Sequence, residues 1–156
     1  MILVLSIFFH LLFVAFWIGG MLFLPLVLLP AIKDHPDRIK LLYQTGLRFR
    51  FYGGWALGGI FLTGLLNLLA KGIPFEVYYF RQSSYGHWIL VKVLLFLLTM
   101  ALGFWHDQKL GQQALDEIES VKGEHFRKWA RWSGRLTLLV ALAAALIGVM
   151  LSRGSV

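Results

Sequence analysis

Four long apolar runs alternate with stretches that carry nearly all the charge, at about residues 2–30, 51–70, 87–105 and 133–151. Each approaches or exceeds the ~20 helical residues that cross the hydrocarbon core of a bilayer. The pattern predicts an all-α integral membrane protein: a four-transmembrane-helix up-and-down bundle forming one domain over residues 1–156. The first run is the most extreme, with no Asp, Glu, Lys or Arg between Ile2 and Ala31. The second opens at Phe51, after Arg48 and Arg50, and stops at Lys71-Gly72. The third follows Tyr85-Gly86 and stops at His106-Asp107, and the fourth ends before Arg153. Spans one and two, and spans three and four, are expected to pair as hairpins.

Loop charge sets the expected orientation. The 32–50 loop carries Lys33, Arg38, Lys40, Arg48 and Arg50, and the 106–135 loop carries Lys109, Lys122, Arg127, Lys128, Arg131 and Arg135. The opposite side has only Lys71, Arg81 and Arg153. Basic loops stay in the cytoplasm, so both termini are expected outside, in the periplasm of a bacterial inner membrane. The 107–131 stretch is expected to be partly helical and amphipathic, with Ile118, Val121 and Phe126 on the membrane surface.

Composition excludes several classes. With 58% hydrophobic residues and a mean hydropathy of +0.71, the chain is too apolar for a soluble domain of this size. Cysteine is absent, which rules out disulfides, thiolate metal sites and iron–sulfur clusters. The net charge of +7 sits in the expected cytoplasmic loops and signals no nucleic-acid partner. The N-terminus lacks a basic n-region, and no small-x-small cleavage site follows Pro25 and Pro30, so the first span is expected to be retained.

Small residues mark close helix approach. They are Gly53, Gly54, Gly58, Gly59 and Gly64 in the second span, and Gly134, Ala141, Ala145 and Gly148 in the fourth.

Polar groups inside the spans carry the candidate chemistry. An ionisable side chain at membrane depth is costly and usually faces the bundle interior. His10 is such a group, and Asn67, His87 and Lys92 are expected in the same outer leaflet. Tyr85, Lys92, Thr99 and His106 recur every seven residues and so share one face. Gly59, Thr63 and Asn67 share a face of the second span; His10, Trp17, Met21 and Leu24 share one in the first. A neutral imidazole is a good ligand for haem iron or copper, and bundle interiors hold cofactors on facing helices. An embedded lysine can pair with haem propionates, hold a quinone oxygen, or ligate iron when neutral. The competing readings are structural: His10 as a hydrogen-bonded helix contact, Lys92 snorkelling outward, and His87 and His106 as interfacial residues.

The string His10-Leu-Leu-Phe-Val-Ala-Phe-Trp17-Ile-Gly19-Gly20 resembles the opening of the CopD (copper resistance protein D) membrane domain. So do Phe49-Arg50 leading into Leu62-Thr63-Gly64-Leu65-Leu66-Asn67, and Tyr85-Gly86-His87-Trp88 leading into Lys92 and Phe96. The first-span spacing, continued to Leu24-Pro25, is also similar to HemJ, a membrane protoporphyrinogen oxidase associated with b-type haem. The CopD resemblance implies copper uptake through the inner membrane. The HemJ resemblance implies His10 and Lys92 as its matching His and Lys, and protoporphyrinogen oxidation as an activity. The chain's soft ligands are only Met1, Met21, Met100 and Met150, which favours a histidine-held redox centre over a thioether-lined copper path.

The expectation is a b-type haem, or copper, held inside the bundle by His10 for electron transfer near the outer face. Lys92, His87 or His106 would supply the second ligand or a propionate contact, with Trp17, Asn67 and Thr99 lining the site. Partners would be the lipid bilayer, a quinone or a periplasmic redox protein, and a second copy of the chain. The alternatives are copper transport, protoporphyrinogen oxidation, and a cofactor-free structural or assembly protein.

Overall fold

The computed structural model describes residues 1–106 and 122–154, with His106, 122–128 and 130 described by backbone alone. Among the described residues every regular element is helical, and four helices are long and apolar enough to cross a membrane. The chain is thus an all-α multi-pass membrane protein. It divides into two compact units, Met1–Pro74 and Phe75–Val156.

The first unit is a helical hairpin. Helix α1 spans Ile2–Phe23 and is followed by one π-helical turn, Leu24–Leu28, and a last turn, α2, Leu29–Ala31. Pro25 has no N–H and its ring crowds the preceding turn, so the hydrogen-bond ladder slips. The Leu29 N–H accordingly reaches the Leu24 carbonyl, five residues back. Helix α3 spans Arg38–Ala70 and packs on α1. It ends in a Schellman motif: the Ile73 N–H bonds the Leu68 carbonyl at 3.1 Å and the Gly72 N–H the Leu69 carbonyl at 3.0 Å. Gly72 takes the left-handed conformation this needs, at φ 66°.

The second unit begins with a short helix, α4, Val77–Gln82, followed by α5, Ser84–His106, and α6, Lys122–Arg153. Ser83 caps α5, its hydroxyl accepting the Gly86 N–H at 2.9 Å. Gly86 is obligatory at this corner, because a Cβ there would lie 2.8 Å from the Tyr79 carbonyl oxygen. Helices α5 and α6 form the second packed pair, so each hairpin joins consecutive spans as the run order predicts.

One boundary differs from the sequence expectation: residues 38–50, expected as loop, are the first turns of α3. The α6 helix is described from Lys122, ahead of the apolar run that begins near Ser133. The apolar runs measure the membrane-crossing part, but a helix continues beyond it wherever no proline or cap stops it. On the extra turns of α3 the charged side chains Lys40, Arg48 and Arg50 remain exposed. The expected surface helix falls partly outside the described residues: Ile118 and Val121 lie there, and Phe126 belongs to α6 by its backbone.

Candidate functional site

The α1–α3 interface is built from aromatic side chains seated over glycine. A Cβ on Gly53 would come within 2.6 Å of the Trp17 ring, and one on Gly59 within 2.5 Å of Phe13. Gly20 receives Phe49 in the same way from the other helix. Residue numbers rise along α1 as they fall along α3, so the pair is antiparallel. Trp17 also stacks on Phe49, with ring centroids 5.4 Å apart and planes at 19°.

His10 lies on the same face, over Gly64, at 3.5 Å from where a Cβ would be. Its Nδ1 is 2.9 Å from the Thr63 hydroxyl oxygen. That hydroxyl has one proton, which it directs to the Gly59 and Ile60 carbonyls of its own helix. Toward His10 it therefore accepts, and Nδ1 is assigned from this network as the protonated ring nitrogen. Nε2 then carries the imidazole lone pair. One turn closer to the N-terminus, buried Ser6 donates to the Thr63 carbonyl at 3.1 Å. Thr63 thus ties two α1 side chains, one through its hydroxyl and one through its carbonyl.

Two buried polar atoms on this hairpin have no hydrogen-bond partner among the described residues: Trp17 Nε1 and Asn67 Oδ1. Trp17 is two turns along α1 from His10, and Asn67 one turn along α3 from Thr63 in the opposite direction. The imidazole therefore lies between an indole donor and an amide acceptor, each costing about 1–3 kcal/mol when left unsatisfied.

In the second unit, Lys92 extends across to α6. Its Nζ is 2.9 Å, and its Cε 3.5 Å, from the position of a Cβ on Gly148. The Lys92 side chain thus packs against a glycine of the neighbouring span. Thr99, only 3% exposed, donates to the Leu95 carbonyl at 2.8 Å, and Thr137 donates to Ser133 of α6. His87 is exposed and its Nδ1 donates to the Ser83 carbonyl at 3.1 Å, a helix-start contact. His106 is the last residue of α5 and its side chain lies outside the described residues.

Within each hairpin, then, the structure brings together His10, Thr63 and Ser6, with Trp17 two turns away on Gly53 and Phe49, and separately Lys92 and Gly148. Ser6 was not among the candidates read from sequence, because a serine four residues before a histidine carries no signal until the facing helix is known. No group of three or more His, Cys, Asp or Glu side chains gathers among the described residues.

A chain of four apolar spans that packs His10 and Lys92 of its spans against neighbouring helices is a polytopic membrane protein. The family model of copper resistance protein D matches residues 43–151, spans two to four, and the chain belongs to the CopD family. An uncharacterized protein of Aquifex aeolicus (strain VF5) is 34% identical over 152 residues, covering 96% of this chain and 95% of its own length. No solved structure matches the chain.

Proposed function

We propose that this CopD-family protein is a membrane redox protein that holds a b-type haem through Nε2 of His10. The observation that carries this is the Thr63 hydrogen bond: a hydroxyl held on one ring nitrogen orients the other for a metal. The donor set fits a haem better than a bare ion. A closed ion site takes three or four protein ligands, whereas a haem brings its own ring nitrogens and asks the protein for one or two axial groups. Trp17 Nε1 is a donor for a carboxylate or ring substituent, and Asn67 has an acceptor to satisfy. Bound haem would supply one-electron chemistry; the chain's part is to orient the imidazole and exclude water. The electron partner would be a quinone or a periplasmic protein. The charge bias of the loops supports a bacterial inner membrane with both termini periplasmic.

The test is the visible spectrum of the protein purified in detergent with haem supplied during expression. A Soret band that His10→Ala abolishes is expected. Wild-type protein that never shows one overturns the proposal.

The family match favours a second reading, copper transport. It predicts copper in elemental analysis without a Soret band, and copper uptake that falls in cells carrying His10→Ala.

A further inference from the structure

The two hairpins, each taken by itself, follow one plan. In the first, α1 starts at Ile2 and His10 follows eight residues later. In the second, α5 starts at Ser84 and Lys92 follows eight residues later. Each of these side chains reaches a glycine of the next span in its own hairpin. His10 Cε1 is 3.5 Å from the position of a Cβ on Gly64, and Lys92 Nζ is 2.9 Å from that of a Cβ on Gly148. Gly64 stands six residues before the end of α3 at Ala70, and Gly148 five before the end of α6 at Arg153. A left-handed glycine closes each hairpin, Gly72 at φ 66° and Gly154 at φ 63°, and among the described residues no other has a positive φ.

The correspondence continues along both interfaces. Seven residues after His10 comes Trp17, packed on Gly53, and seven after Lys92 comes buried Thr99. Eleven residues and one residue before Gly64, α3 buries Gly53 and Thr63. Eleven residues and one residue before Gly148, α6 buries Thr137 and Ile147. The side chains themselves differ, apart from matches such as Leu62-x-Gly64 and Leu146-x-Gly148. A membrane hairpin tolerates this, because close approach is set by where small and polar residues fall along each helix.

We propose that the chain is a tandem repeat of one helical hairpin, Ile2–Ala70 and Ser84–Arg153, in which Lys92 is the second repeat's counterpart of His10. Each repeat carries one polar seat. A glycine near the end of the second helix withholds its own side chain, and a long polar side chain of the first helix lies against the backbone there. Imidazole and ammonium fill the two seats because both donate hydrogen bonds, and a polar group inside a hairpin escapes the cost of facing lipid. The repeat stands whether or not His10 holds a haem.

The experiment is thermal unfolding of the full-length, haem-free protein in detergent. Gly64→Leu and Gly148→Leu should each lower the melting temperature, since the new side chain meets the seated one. Removing the occupant should restore part of that loss within the same hairpin: His10→Ala in the Gly64→Leu background, Lys92→Ala in the Gly148→Leu background. The crossed combinations, His10→Ala with Gly148→Leu and Lys92→Ala with Gly64→Leu, should simply add. The exchange variant, His10→Lys with Lys92→His, should fold and melt within about 4 °C of wild type, the scale of one modest contact in a chain of this size. Relief in one hairpin and not the other overturns the proposal, and so does relief in a crossed combination. An exchange variant that fails to fold while His10→Ala and Lys92→Ala both fold also overturns it. With no haem present, the result is separate from the reading of His10 as a haem ligand.

Discussion

The His10 imidazole and the Thr63 hydroxyl are 2.9 Å apart across two antiparallel membrane helices, and the hydroxyl is the acceptor. Replacing Thr63 by Val keeps the β-branched shape and removes the acceptor. Stability should fall by about 0.6–2 kcal/mol, the range for a hydrogen bond between membrane helices. If His10 holds haem, affinity should drop roughly 10–100-fold, as for other partners of metal-ligating histidines. A haem titration followed at the Soret band measures this, and unchanged affinity with lowered stability would assign Thr63 a packing role alone.

The two neighbouring glycine pairs of α3 should respond in opposite ways. Gly53→Leu and Gly59→Leu drive side chains into Trp17 and Phe13, and overpacking of this kind costs about 1–3 kcal/mol or more. Gly54→Leu and Gly58→Leu point into open space and should stay within roughly 0.5 kcal/mol of wild type. Thermal unfolding in detergent compares the four directly.

Gly148 leaves room for the Lys92 ammonium on α6. Gly148→Ala should be tolerated, since the crowded atom is the far end of a flexible side chain. Gly148→Leu should displace the Lys92 side chain and cost about 1–3 kcal/mol, read as a lower melting temperature in detergent that Gly148→Ala does not show.

The chain has no cysteine, so single cysteines can report its topology. Arg153→Cys should react with a membrane-impermeant maleimide in intact cells, and Gln44→Cys should react only after the membrane is opened. The reverse pattern would invert the orientation and move His10 to the other leaflet.

The spans and the ends of their apolar runs were legible from local causes. The uncharged run from Ile2 to Ala31 has to leave water, and Gly72 has to end α3, whatever the rest of the chain does. Helical period also told which side chains share a face, and so grouped His10 with Trp17 and Thr63 with Asn67. It could not tell which glycines a neighbouring helix would occupy. Gly53, Gly54, Gly58 and Gly59 read alike in sequence, and only the seating of Trp17 and Phe13 separates the packed pair from the open one. The protonated nitrogen of His10 and the reach of Lys92 to Gly148 were equally beyond a one-dimensional reading. Each depends on an atom contributed by another helix, and a helix's own period fixes the direction of a side chain without naming what waits there.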